Sequence, residues 1–315
     1  MEDAYGTMSK FGGISFMKKK PLLSLILPCY NEAEHFHESS ENILSVLKQG
    51  QISFEIIFFE DQSQDNTWQM IQQFIRKHRS ENIKAFQHHK NLGRGQTVTD
   101  GIKKAQGEIA GFIDIDCEIS PEYIPQFITK IRSGADIVCG HRKYQTTFSG
   151  LLRAATSKIY ALLVKSLIGT QLVDTEAGYK FFNKAKILTI LPKIKDKGWF
   201  WDTEIMVRGE MAGLKIVFVP VKFRRRTDKT STVNLANDTL KYLVNLWRFR
   251  KELHRKKLEA DKYWYNNSGA FSHQYTTLFG LPVTPVGLFL IQRYLIITIF
   301  ISTIHGKTFL DVVFG

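Results

Sequence analysis

Five short, largely apolar runs alternate with amphipathic stretches between Leu22 and Cys139, and this rhythm constrains the fold more than any other feature of the 315-residue chain. The runs are Leu22–Leu27, Phe54–Phe59, Ile83–Phe86, Ile109–Ile113 and Ala135–Cys139. Strands that are apolar throughout, not at every second residue, are strands covered on both faces. Between them, Phe36, Ile43, Leu44 and Leu47 share one helical face, and residues 65–78 place Trp68, Ile71 and Ile75 likewise. Residues 95–105 and 121–132 read as two further helices. This alternation predicts an α/β fold, a mostly parallel sheet with helices on both faces. In such sheets the ligand lies beyond the carboxyl ends of the strands, so the polar residues after each run carry the functional information.

Composition narrows the partners. The net charge of +13 favours a polyanion: a nucleotide, a phosphorylated lipid, an anionic membrane face or nucleic acid. Cys29, Cys117 and Cys139 are odd in number and far apart, against a disulfide framework and for a reducing, cytoplasmic setting. Residues 1–20 end in three lysines, lack an apolar stretch of signal length, and read as a loose tail.

The first run leads into Pro28-Cys29-Tyr30-Asn31-Glu32, and the second into Glu60-Asp61-Gln62-Ser63-Gln64-Asp65-Asn66-Thr67. Asp65 suits a helix N-cap. Capping does not account for Glu60 and Asp61, which can accept hydrogen bonds from a base N–H or ribose hydroxyls. The third run leads to Asn91-Leu92-Gly93-Arg94-Gly95, either an ordinary tight turn or a phosphate cradle. After the fourth come Asp114-Ile115-Asp116-Cys117-Glu118, where strand alternation would set Asp114 and Asp116 on one side. Three acids in five residues repel one another without a cation, and oxygen ligands suit Mg²⁺ or Mn²⁺. A solvated acidic loop is the alternative.

Taken in order, these four segments resemble the inverting glycosyltransferases of family 2, which have the GT-A fold, over about residues 22–250. Asp174-Thr175-Glu176-Ala177-Gly178-Tyr179-Lys180 and Phe200-Trp201-Asp202-Thr203-Glu204 are similar to the branch that glycosylates polyprenyl phosphates, the dolichyl-phosphate glucosyltransferase type above all. Three positions depart from the pattern: Glu60 for the first Asp of the acidic pair, Tyr179 for Phe, and Asp228 for Gly in the basic loop.

The resemblance implies a nucleotide-sugar donor, UDP- or GDP-linked, with Pro28, Tyr30, Glu32, Glu60, Asp61, Arg94 and Asp114 on the donor side. Asp116, with Asp114, would hold the Mg²⁺ or Mn²⁺ that bridges the two phosphates, and Arg226 and Lys229 would share the diphosphate charge. Asp202 lies among Trp199, Phe200 and Trp201 and is open to three readings. It is a base whose apolar setting raises its pKa, a group orienting the acceptor, or a cap for the helix of Thr203–Met211. A hydroxyl acceptor needs the base, whereas a polyprenyl phosphate is already ionised and does not.

Residues 222–262 hold thirteen Lys/Arg and five Asp/Glu, with Leu240, Leu243, Val244 and Trp247 as an apolar stripe. That suits the cytoplasmic face of an anionic membrane, peripherally bound, or a solvated helix packed through its stripe. Nucleic acid is not expected, because no recognition motif accompanies the charge. The apolar residues 281–305 contain Gln292 and Arg293, which are costly at the centre of a bilayer. They read as an interfacial segment, or with Leu310-Asp311-Val312 as the start of a truncated second domain resembling a methyltransferase. The expected organisation is a tail (1–20), a catalytic domain (21–232), a basic amphipathic helix (233–262) and an apolar extension (263–315).

Three functional alternatives compete with the lipid-phosphate reading. A nucleotidyltransferase would carry a Gly-rich, Arg-containing loop where Pro28–Glu32 stand. A bifunctional chain would glycosylate a hydroxyl acceptor. A non-catalytic nucleotide-binding module would tolerate Glu60 and Asp228, but has no need of the Asp114/Asp116 pair.

Overall fold

The computed structural model describes residues 20–144, 148–225, 241–255 and 259. The chain divides into two compact units, Met1–Thr230 and Ser231–Gly315. Arg226, Asp228, Lys229, the amino-terminal residues 1–19 and the apolar segment 281–305 lie outside the described residues.

The first unit runs β1 (Leu23–Cys29), α1 (Phe36–Gln49), β2 (Phe54–Glu60), α2 (Thr67–Lys77), β3 (Ile83–Gln87), α3 (Arg94–Lys104), β4 (Ile109–Ile113), α4 (Ile124–Arg132), β5 (Ile137–Lys143), α5 (Phe148–Ile168), β6 (Tyr179–Asn183), α6 (Lys184–Ile190), α7 (Trp201–Met211) and β7 (Ile216–Lys222). The seven strands form one sheet in the order β3-β2-β1-β4-β6-β5-β7. All neighbours are parallel except those of β6, which is antiparallel to both β4 and β5.

The two faces are covered separately. Phe58 of β2 meets Phe36 of α1 and Phe74 of α2 at ring distances of 5.3 and 5.7 Å. Ile26 of β1 is in register with Ile57, on the opposite face, and there it touches α3 at Gly101, where a Cβ would sit 2.5 Å from Ile26. Trp201 of α7 packs on Phe112 on that same face, and Phe127 of α4 packs on Phe181 on the other. Each fully buried Phe or Ile in these layers is worth about 1.5–3 kcal/mol of burial.

Two expectations change in detail. The fifth strand starts at Ile137, because Ala135 still closes the turn after α4 through its bond to the Lys130 carbonyl. It then runs on through the polar Gly140–Lys143, because β7 pairs with all seven of its residues. Pro220 stands in that edge strand, exposed, where a missing N–H costs no ladder bond. At the far end of the sheet from the site, Glu55 is sealed within β2. It accepts from Ser24 Oγ (2.5 Å), Gln106 N (2.6 Å) and Lys84 Nζ (2.6 Å). A buried acid is tolerated because every bond it needs is made.

In the second unit residues 241–255 are helical. Leu246 and Phe249 are its buried positions, whereas Val244 and Trp247 are 37% and 44% exposed, so the inward stripe is rotated from the expected one. Lys251 Nζ lies 3.8 Å from the centre of the Trp247 ring. Among the described residues no helix is long and apolar enough to cross a membrane.

Candidate active site

Parallel strands deliver their trailing residues to one edge of the sheet, and the antiparallel β6 delivers its leading residues to the same edge. The loops after β1, β2, β3, β4 and β5 therefore meet the 174–178 loop there.

On the β1–β3 side the acids are tied by backbone amides. Glu60, fully buried, accepts from Gln62 N (3.1 Å), Ser63 N and Gln87 Nε2 (2.7 Å). Asp61, 3% exposed, accepts from Leu92 N and Gly93 N at 2.8 Å each and is 2.7 Å from His88 Nδ1. Asp65 accepts from Thr67 N (3.0 Å) at the start of α2 and also from Ala33 N (3.0 Å); the cap position itself is Asn66, so the expected cap is instead a tie between two loops. Pro28 pairs with Phe59 one step before the β1 ladder ends at Cys29 opposite Glu60. Tyr30 and Glu32 follow on a turn made possible by Asn31, whose φ is 55° and whose side chain accepts from Gln64 N (2.8 Å). Glu32 N donates to Thr67 Oγ1 (2.8 Å).

The Gly93-Arg94-Gly95 turn serves close approach. Gly93 has φ 95°, and a Cβ there would lie 2.5 Å from the Lys197 carbonyl oxygen; at Gly95 it would lie 2.4 Å from Trp201 Cβ. The two glycines bring the 197–201 segment against the start of α3. In consequence Arg94 points between β4 and α7.

The β4 side is held by cations. The strand ends at Ile113, and Asp114 and Asp116 lie on a turn closed by Cys117 N to Asp114 O (3.2 Å), so the expected alternation stops before them. Arg94 Nε and Nη2 lie 2.8 and 2.7 Å from Asp114 Oδ1. Burial pushes the Asp114 carboxyl up to about 6; Arg94 opposes that, and Asp116 and Asp202 add to it. Gly178 makes the approach possible: a Cβ there would fall 1.7 Å from Asp114 Oδ2. Asp116 Oδ1 accepts from Glu118 N (3.2 Å). Among the described residues no group of three or more His, Cys, Asp or Glu could hold a metal ion. Two carboxylates at a strand tip nevertheless fit an ion whose remaining ligands are substrate phosphates and water.

Asp202 sits in the first turn of α7, 2% exposed, and its surroundings are cationic as well as aromatic. Oδ2 accepts from Arg94 Nη1 (2.5 Å) and Oδ1 from Lys180 Nζ (2.5 Å). It is not the helix cap, since Asp196 Oδ1 takes Gly198 N (2.8 Å) and Trp201 N (3.0 Å) instead. Lys180 is fully buried and also donates to the Ala177 carbonyl (2.5 Å). The Arg94 guanidinium lies 5.2 Å from the centres of both Phe112 and Trp199. Burial works against its charge, and Asp114 and Asp202 outweigh burial, so its pKa stands above the ordinary value.

Sequence reasoning missed a second cluster beside this one. Arg142, at the end of β5, grips Asp174 with Nε (3.0 Å) and Nη2 (2.9 Å) and reaches Glu176 at 3.3 Å. Arg142 outweighs burial and holds the Asp174 carboxyl below its usual value, whereas burial raises that of Glu176. Thr203 Oγ1 lies 2.8 Å from Thr175 Oγ1 and 2.9 Å from the Tyr160 hydroxyl of α5. The polar run Gly140–Lys143 after an apolar strand was the available signal for Arg142.

Comparison with known proteins identifies the family and the fold. The chain is 26% identical over 223 residues to the glycosyltransferase AglD of Haloferax volcanii, which covers 69% of this chain and 35% of AglD. It is 25% identical over 253 residues to the dolichyl-phosphate beta-glucosyltransferase of Dictyostelium discoideum, 72% of this chain and 77% of that one. The fold is shared with glucosyl-3-phosphoglycerate synthase of Mycobacterium tuberculosis, solved with Mn²⁺, UDP-glucose and phosphoglyceric acid. The TM-score is 0.55 at 16% identity, covering 73% of this chain and 79% of that one. A family model, glycosyl transferase family 2, matches residues 24–190, just over half the chain. With a seven-stranded GT-A sheet and a family model that matches more than half of its length, this chain belongs to glycosyl transferase family 2.

Proposed function

We propose that this glycosyltransferase moves a sugar, with inversion, from a nucleoside diphosphate donor to a polyprenyl phosphate. The observation that carries the acceptor half of this reading is the state of Asp202. Both its oxygens already accept from buried cations, Arg94 and Lys180, and the residue is all but closed to solvent, so an acceptor hydroxyl has little access to it. A carboxylate so engaged is poorly placed to deprotonate a hydroxyl, and a phosphate acceptor arrives ionised and needs no such step. The name of the Dictyostelium relative supports the same class.

On the donor side, Tyr30, Glu32 and Asp61 contact the nucleoside, with Pro28 and Glu60 shaping the pocket around them. Asp116, with Asp114, holds a Mg²⁺ or Mn²⁺ ion, which when bound neutralises the departing diphosphate. Arg226 and Lys229 share that charge. The exposed Trp247 beside Arg248 and Lys251 supports a peripheral site on an anionic membrane, where a lipid acceptor would be met.

The test is release of nucleoside diphosphate from UDP- and GDP-sugars, with and without Mn²⁺ or Mg²⁺ and a short polyprenyl phosphate, beside Asp116→Ala. Metal-dependent release stimulated by the lipid and lost in the variant is the expected result. Release that the lipid does not stimulate would move the acceptor to a hydroxyl compound. A nucleotide that binds without turnover would make the chain a binding module.

A further inference from the structure

Four side chains of alternating charge form one line from the core to the edge of the sheet. Lys180 is 0% exposed, Asp202 3%, Arg94 11% and Asp114 36%. Each touches the next: Lys180 Nζ to Asp202 at 2.5 Å, Asp202 to Arg94 Nη1 at 2.5 Å, and Arg94 Nη2 to Asp114 at 2.7 Å. Exposure rises along the line, and Asp114 is the least buried of the four.

We propose that Lys180 and Asp202 are positioning residues that act through Arg94 to set the donor-side carboxylate Asp114. Lys180 is sealed, with its ammonium between the Ala177 carbonyl, Asp202 and the Phe112 ring (5.5 Å to its centre), so it cannot touch a substrate. It pairs with Asp202, and that carboxylate is itself all but closed to solvent. The edge of Arg94 that faces Asp114 is therefore the outlet for both. Phe112 and Trp199 hold the guanidinium plane, Asp202 fixes one nitrogen, and the other two grip Asp114. A planar guanidinium suits this work, because its donors keep fixed directions relative to one another. Asp202, the expected base, thereby becomes a rear support for donor binding.

This inference rests on the donor reading above, and the experiment separates the two. UDP and GDP binding, with and without Mn²⁺, is measured by calorimetry on the wild type, Lys180→Gln, Asp202→Asn, Arg94→Gln, Arg94→Lys and the Asp202→Asn/Arg94→Gln double variant. Melting curves accompany each. Lys180→Gln and Asp202→Asn are expected to weaken nucleotide binding about tenfold, as befits one charged hydrogen bond. The double variant should be no more than about twofold weaker than Arg94→Gln, since residues acting in series do not add. Arg94→Lys should bind between wild type and Arg94→Gln. Donor KM should rise while acceptor KM stays level. Asp202→Asn with unchanged nucleotide binding and a collapse of kcat alone would overturn the proposal and restore the base. If Lys180→Gln does not fold, Asp202→Asn and the Arg94 pair decide the matter. A wild type that binds nucleotide but transfers to no phosphate sinks only the acceptor reading; one that binds neither UDP nor GDP sinks the donor reading and this proposal together.

Discussion

The two halves of the candidate site hold their acids by different means. Around β1–β3, Glu60, Asp61 and Asp65 are tied mostly by backbone N–H groups of loops close by in the fold. Around β4, β6 and α7, Asp114, Asp202 and Asp174 are tied by the side chains of Arg94, Lys180 and Arg142. An amide-tied acid shapes a loop and loses little when a neighbouring side chain changes. A cation-tied acid depends on one partner, and removing that partner strands a buried charge.

The strongest way to break the comparison is at the tip of β4. Asp116→Ala should cut transfer by about 10²–10⁴-fold, the scale of several kcal/mol of lost metal stabilisation. Chelation of the divalent ion should match it, both read as nucleoside diphosphate release. Next comes Arg142→Ala, which strands Asp174 and should destabilise the fold by about 3–5 kcal/mol, seen in denaturant melts. Its pH behaviour sharpens the point. The Asp174 carboxyl titrates lower in the folded state than in the unfolded chain, so its stabilisation is present above the unfolded value and fades as pH falls through the folded pKa. The variant should lose that acid-side slope.

Gly178→Ala tests the close approach at β6. A methyl overlapping Asp114 should cost about 1–3 kcal/mol and disturb nucleotide binding, while Gly134→Ala, where a Cβ meets nothing but φ is 93°, should strain the backbone alone. Asp114 itself has the opposite pH sense to Asp174. Its folded pKa is raised to about 6, so protonation contributes stability fully below its unfolded value and this is lost as pH rises through 6. In the metal-free protein stability should accordingly fall as pH rises toward 6, and a flat melting profile between 4 and 6 would contradict it. The smallest effect is expected on the amide-tied side, where Asp65→Ala should cost about 1 kcal/mol in melting experiments.

That division also decides what the sequence made legible. The parallel half of the sheet and its acidic tips follow from local patterns, since apolar runs mark β1, β2 and β4 and the polar residues come directly after them. The cation clamps join residues 20 to 108 positions apart, and no local pattern carries that pairing. Lys180 lies within the Asp174–Lys180 segment, yet nothing in that segment says that its ammonium turns inward to Asp202. The antiparallel direction of β6 was equally hidden, because a five-residue apolar strand reads the same in either direction. The expected apolar setting of Asp202 failed for a related reason: Trp199 and Phe200 are its neighbours in sequence, whereas its charged partners come from α3 and β6.

The direction of β6 also sets a timetable. It bonds to β4 and β5 at once, so it cannot take its place until both exist, and α7 with Asp202 follows later still. A chain emerging from the ribosome can pair β1 to β4 and form the amide-tied loops early, while the clamp waits for the last third of the first unit. Nascent chains halted before Trp201 should resist proteolysis around β1–β4 yet retain no nucleotide, whereas chains extended beyond β7 should retain it. On this order the clamp around Asp114 would be completed late in the assembly of the first unit, and a half-made chain would be kept inert by topology.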